Sequence, residues 1–353
     1  MRVFPKSCCR AAASAQLVAS CTAAQYVGGV APCNDLADSI RQGDRSALAR
    51  AITLVESRRA ADAQAAEALL SSLLPDSGKA IRIGITGAPG VGKSTLIETL
   101  GMQLCNAGSK LAVLAVDPSS TVSGGSILGD KTRMDELSRH ANAFIRPSPG
   151  GGTLGGVAGR TQEAMILCEA AGNDIVLIET IGTGQSEVAV HGMVDFFLVM
   201  LSPAAGDELQ GIKRGVMELA DGVLVHKADG DLLPAANRTA QQCMLAMRVL
   251  HSGEQEPPKV LIGSSVTKEG ITELWQCIEQ QVAHWQQSGQ LQKRRSQQAV
   301  EWLNRTVRET LLQELLASPN AQTEFAAAQQ RVAAGQQVAT AAARDLIRRC
   351  QQR

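Results

Sequence analysis

The stretch IRIGITGAPGVGKST, residues 81–95, decides the fold. Its first six residues read as a short buried strand, and an apolar helix follows its last. Between them stands Gly-x-x-x-x-Gly-Lys-Ser, the pattern of a phosphate-binding loop in its required strand–loop–helix setting. The loop runs Gly87, Ala88, Pro89, Gly90, Val91, Gly92, Lys93, Ser94, Thr95. Its glycines let backbone N–H groups turn inward around a β-phosphate without Cβ clashes. Lys93 places a positive charge between the β- and γ-phosphates, and Ser94 offers a hydroxyl to Mg²⁺. The helix that follows presents its positive dipole end to the phosphates.

Further short runs alternate with helical segments: LAVLAVD (111–117), IVLIET (175–180), FFLVML (196–201), GVLVHK (222–227) and KVLIGSS (259–265). Their continuous apolar character predicts strands buried on both faces of a parallel sheet, joined by long βαβ crossovers. The expected fold class is therefore α/β: a P-loop NTPase with a mostly parallel sheet flanked by helices. Residues 35–74 carry apolar residues at helical spacing, broken by Pro75-Asp76-Ser77-Gly78. Beyond about residue 270 the chain turns Gln-rich and helical without a strict heptad. The expected organisation is a leader at 1–34, an N-terminal helical segment at 35–78, a P-loop domain at 79–270 and a C-terminal helical arm at 271–353. The arm reads either as helices packed on their own domain or, preferred here, as a dimerisation surface.

The 353 residues carry 34 basic and 34 acidic side chains, which gives no reason to expect nucleic-acid binding by bulk charge. No run of 18 apolar residues predicts a membrane span. Nine scattered cysteines, none in a CxxC pair, argue against a disulfide framework or a zinc site and for a reducing compartment. The first 34 residues lack Asp and Glu but hold Arg2, Lys6 and Arg10. That composition predicts import into the mitochondrial matrix, with a plastid or the cytoplasm as alternatives.

Asp117 and Glu179 stand at expected strand ends, where ligands of a parallel sheet bind, and Asp130 in GDKTRM is a third carboxylate candidate. All three are expected near Mg²⁺ or the γ-phosphate. Gly182 could add a backbone N–H that senses that phosphate. The stretch IRPSPGGGTLGGVAGRT, residues 145–161, holds six glycines and reads as a mobile loop that could order around nucleotide. In GVLVHKADGD, residues 222–231, a strand runs into Lys227-Ala228-Asp229. Guanine-binding proteins place Asn-Lys-x-Asp at such a strand end, but here His226 stands at the first position.

Taken together, GAPGVGKSTLIE, VDPSS, GDKTRM, RPSPGGGTLGG, ETIGTGQSE, GDELQGIKRGVMELAD and KADGD resemble the methylmalonyl-CoA mutase-associated GTPases. These are known as MeaB in bacteria and MMAA in animals, with relatives called ArgK or LAO/AO transport ATPases. The strings fall in order from residue 87 to 231, and the likeness extends loosely over most of the chain after residue 35. The resemblance implies that Lys93, Ser94 and Thr95 hold phosphates and metal. It implies that Asp117, Asp130 and Glu179 surround Mg²⁺ and the attacking water, with Glu179 at the family's Glu position. The loop from Pro147 and the segment Gly182–Glu187 look like its switches, and Gln185 in the latter could contact a partner or relay the switch state. The segment Ser264-Ser265-Val266 resembles one whose backbone N–H groups meet guanine O6. Asp229 would accept from guanine N1–H and the 2-amino group. Adenine has no such pair of donors, and leaving that carboxylate unpaired costs about 1–3 kcal/mol, so GTP is expected over ATP. Lys227 would lay its stem along the base. Ile181 and Thr183 replace commoner valines, and Lys268 replaces a frequent glycine.

The implied function is a GTP-hydrolysing chaperone of an adenosylcobalamin-dependent acyl-CoA mutase, working as a homodimer with Mg²⁺ and GTP or GDP. None of the five histidines sits in a cobalamin-like D-x-H-x-x-G string, so that cofactor is expected on the partner. A nucleotide-binding adaptor and a transport-associated ATPase are the competing functions. A nickel-delivery GTPase would need a His-rich tract, which the sequence lacks.

Overall fold

The computed structural model describes residues 33–57, 59–116, 134–147, 154–180, 186–203, 214–253 and 257–351. Three helices lead: α1 (Cys33–Arg41), α2 (Arg45–Glu56) and α3 (Ala60–Leu73). The Asp44 carboxylate caps α2 by accepting from the N–H groups of Ser46 and Ala47. Ala47, Leu48, Ala51, Ile52 and Val55 recur at helical spacing and form its buried face.

The sheet then builds through β1 (Ile81–Gly87), α4 (Lys93–Asn106), β2 (Leu111–Val116), α5 (Asp135–Arg139), β3 (Ala143–Arg146), α6 (Leu154–Ala170) and β4 (Ile175–Thr180). It continues through α7 (Ser186–His191), β5 (Phe196–Leu201), α8 (Arg214–Glu218), β6 (Gly222–Val225), α9 (Leu233–Leu250) and β7 (Lys259–Ile262). Seven strands lie in the order β3-β2-β4-β1-β5-β6-β7, and every pairing is parallel. Each residue of β4 and β5 is buried, because helices cover both faces of the sheet. One apolar cluster joins the sheet to α1, α2, α3, α6 and α9, and the other joins it to α4.

From β1 the chain runs outward to β2 and β3, returns to β4 beside β1, and then builds β5, β6 and β7 on the other side. The direction of winding thus reverses at β1, and the crevice at its carboxyl end is where such sheets bind ligands. The P-loop sequence occupies that crevice.

Two local expectations need correction. β3 carries no strand signal of its own; four residues, AFIR, are too short to stand out. The stretch 145–161 is not a loop throughout: Ile145 and Arg146 end β3, and α6 begins at Leu154. Glycine costs a helix about 1 kcal/mol each, yet α6 absorbs Gly155, Gly156 and Gly159 because Ala164, Leu167 and Cys168 further along are sealed in the core. Residues 148–153 lie outside the described chain.

Four helices follow the sheet: α10 (Ile271–Gln287), α11 (Gln290–Leu315), α12 (Pro319–Ala333) and α13 (Ala339–Gln351). α10 buries Ile271, Leu274, Ile278 and Val282 in the second cluster, so it is part of the domain's body. α11 is pinned at its start. Arg294 donates to both carboxylate oxygens of Asp221 at 2.9 and 2.8 Å and lies 5.5 Å from the Trp285 ring centre. Arg295 grips Asp195 at 2.8 and 2.6 Å. Further along α11, Val300, Leu303, Val307 and Leu311 are exposed on one stripe. No described helix is long and apolar enough to cross a membrane.

Candidate functional site

Gly87 ends β1 so close to β5 that a Cβ there would fall 2.5 Å from the Met200 carbonyl oxygen. Gly92 turns the loop into α4 with φ 102, in the left-handed region that side chains avoid. A Cβ on Gly92 would meet the His226 ring at 2.6 Å, so the P-loop and the end of β6 touch directly.

Lys93 is only 7% exposed. Its ammonium donates to the carbonyls of Gly87 at 2.8 Å and Ala88 at 3.2 Å, which holds it in the mouth of the loop. Burial pushes its pKa down, and the carboxylates of Glu179 and Glu187 pull it back up. Glu179 lies one residue from the end of β4, 9% exposed, in register with Ile85 and Ala115. Beside it Thr180 donates its hydroxyl to Thr86 at 2.8 Å and ties the ends of β4 and β1 together. Ser94 is half-buried and Thr95 exposed at the start of α4. Oxygen donors such as the Ser94 hydroxyl and the Glu179 carboxylate suit a hard cation like Mg²⁺. No group of three or more metal-binding side chains occurs among the described residues. Asp117, Asp130, Gly182 and Gln185 lie outside the described residues.

The base corner is assembled from β6, the turn after it and the turn after β7. His226 is 2% exposed. Its Nδ1 lies 2.9 Å from the Val91 carbonyl and its Nε2 lies 2.7 Å from the Ser265 hydroxyl. A carbonyl only accepts, so Nδ1 carries the proton and Nε2 accepts from Ser265. Lys227 takes φ 58 and donates its amine to the Gly90 carbonyl at 2.6 Å. Asp229, half-buried, accepts a short hydrogen bond from the Ser264 hydroxyl. That oxygen accepts in turn from the N–H groups of Val266 at 3.1 Å and Thr267 at 3.3 Å. The Ser264 N–H donates to the Glu269 carbonyl at 2.9 Å. Two of the three backbone donors expected to face guanine O6 are therefore engaged within the turn. Val266 itself is 80% exposed.

The fold thus gathers Lys93, Glu179, His226, Lys227, Asp229, Ser264 and Ser265 at one edge of the sheet. Two features had no clear local signal. Glu187, on α7, acts on Lys93 although only its place at the end of the switch-like segment Gly182–Glu187 marked it. The bridge from Val91 through His226 to Ser265 spans three separate segments; each residue stood out by itself, but nothing along the chain marked their contact.

A family model described as "Methylmalonyl Co-A mutase-associated GTPase MeaB" matches residues 48–320. A probable GTPase of Mycobacterium tuberculosis is 50% identical over 314 residues, 88% of this chain and 93% of that protein. The "Methylmalonic aciduria type A homolog, mitochondrial" of Mus musculus is 46% identical over 83% of this chain and 74% of its own. Among solved structures, the crystal structure of an LAO/AO transport system kinase superposes with a TM-score of 0.73 at 36% identity, covering 92% of this chain and all of that one.

Proposed function

The chain belongs to the methylmalonyl-CoA mutase-associated GTPase family and is a GTP hydrolase; from this we propose that its GTP cycle serves an adenosylcobalamin-dependent acyl-CoA mutase, methylmalonyl-CoA mutase first, in loading, protecting or reactivating the mutase's cofactor. One observation carries the nucleotide half of this reading. A P-loop and a guanine-type corner are joined side by side at the switch point of the sheet, through His226. The mutase half rests on the family's described association.

In this reading GTP lies along the P-loop from Gly87 to Thr95, with its base between Lys227 and the Asp229, Ser264, Ser265 and Val266 corner. Ser94 and Glu179, with Asp117 and Asp130, would hold Mg²⁺, which would supply charge neutralisation for the phosphates. Lys93 exchanges its two carbonyl partners for phosphate oxygens and stabilises the charge that builds as water attacks the γ-phosphate. Glu179 orders the water shell, and Gln185 relays the switch state. Adenosylcobalamin resides on the mutase. The proposed compartment is the mitochondrial matrix, on the acid-free composition of residues 1–34.

Measured GTP turnover should be slow alone and faster with purified methylmalonyl-CoA mutase, with no ATP turnover. GTP bound without stimulation would favour an adaptor or another partner, and ATP preference would overturn the role given to Asp229. We also propose that residues 1–34 are a leader and that the exposed stripe of α11 pairs two copies, while α1–α3 and α10, which share the sheet's apolar clusters, belong to the P-loop domain rather than to separate units. Leu303→Asp should then shift the protein from dimer to monomer in light scattering, and an unchanged mass would exclude this stripe.

A further inference from the structure

We infer that His226 is a positioning residue that couples the guanine corner to the phosphate loop, and that it makes nucleotide affinity depend on pH. The inference rests on the reading that GTP occupies this crevice. Three contacts support it. The ring reaches the Val91 carbonyl at 2.9 Å, reaches the Ser265 hydroxyl at 2.7 Å and lies directly over Gly92. It therefore fixes the spacing between the loop that would hold phosphates and the turn beside Asp229. Thr99 adds a weaker tie from α4 to the Ser265 carbonyl at 3.4 Å.

A ring with these two partners is satisfied when neutral. Adding a proton at Nε2 turns the Ser265 bond around, so the hydroxyl must accept and find another partner for its own hydrogen. It also puts a cation in a site that is 2% exposed. Burial is the largest cause that lowers this histidine's pKa below the usual 6.5; the Val91 bond opposes it, Lys227 reinforces it and Asp229 opposes it. From the P-loop side the charged group is Lys93, turned to the Gly87 and Ala88 carbonyls. From the turn after β7 come Lys268 and Glu269, both exposed. Because the folded pKa is lowered, the stability that the neutral ring contributes is complete above about 6.5, and the closed corner is lost only as pH falls through the lowered folded value. Guanine sealing the corner disfavours the protonated ring further, so proton and nucleotide compete.

The test measures GDP affinity from pH 7.5 to 5.5 for the wild-type protein and His226→Asn. Titration of the nucleotide's phosphates is common to both and cancels in the ratio. The wild type should lose more affinity than the Asn variant over this range, with about 10-fold as the ceiling set by a ring pKa below 6.5. Superimposable profiles would overturn the inference. His226→Ala should raise KM for GTP with kcat little changed, the mark of lost binding rather than lost chemistry; an unaltered KM also overturns it. If either variant fails to fold, NMR titration of the wild-type ring decides, since bound GDP should lower its pKa and an unshifted value refutes the coupling. Asp229→Asn is the control for the site itself. Were that variant to bind GTP as the wild type does, guanine would not sit here, and the premise would fail independently of His226.

Discussion

Lys93→Ala should lower kcat for GTP by about 100- to 1,000-fold, the usual loss when one pre-aimed charge donor is removed from a closed site. The ammonium is 7% exposed and held in the loop mouth by the Gly87 and Ala88 carbonyls, so little reorganisation is needed when phosphate oxygens replace them. Glu179 and Glu187 keep it charged against the desolvation that would neutralise it. Charge that develops on a γ-phosphate in such surroundings is stabilised far more than in water. Lys93→Arg should not restore activity, because a planar fork is not a compact point charge and does not fit the same turn. Alanine also removes the cation that faces the buried Glu179 and Glu187 carboxylates, so a loss of stability has to be separated from a loss of turnover. Phosphate release and thermal unfolding measured on the same preparations test this. A kcat within 10-fold of wild type would remove Lys93 from the chemistry.

The second large effect is on stability. Arg295→Ala should destabilise the protein by about 3–5 kcal/mol, because it strands a buried carboxylate. Asp195 has a fully buried side chain and accepts from Arg295 at 2.8 and 2.6 Å and from the Arg82 N–H at 2.9 Å. Arg295 also donates to the Ala80 carbonyl at 2.7 Å, so it fastens α11 to the entry of both β1 and β5. Urea unfolding would read the loss. The paired replacement Arg295→Met with Asp195→Leu should cost far less, because neither charge is left alone. By contrast, Arg349→Ala breaks the more exposed pair with Glu324, a class worth about 0–1 kcal/mol. Equal losses at positions 295 and 349 would show that burial of Asp195 is not the cause.

Where chemistry needs a local backbone conformation or an unbroken apolar run, this protein's sequence determined its structure by itself. The P-loop is legible because Gly87 and Gly92 stand where any Cβ would collide, and Lys93 follows at the fixed spacing. IVLIET and FFLVML are legible because a strand covered on both faces has no polar side to display. Asp229 was legible from its distance to Lys227 at the end of β6. Tertiary structure alone decided the rest. β3 exists because β2 offers it an open edge, and a glycine-bearing helix starts at Leu154 because its later turns are buried. The sequence marked His226 only as a departure from Asn. Its meaning came from Val91, 135 residues away, and Ser265, 39 residues away. Arg295 finds Asp195 across 100 residues. Such contacts have no period and no spacing along the chain, because they form only where the parallel sheet brings the ends of β1, β5, β6 and β7 together.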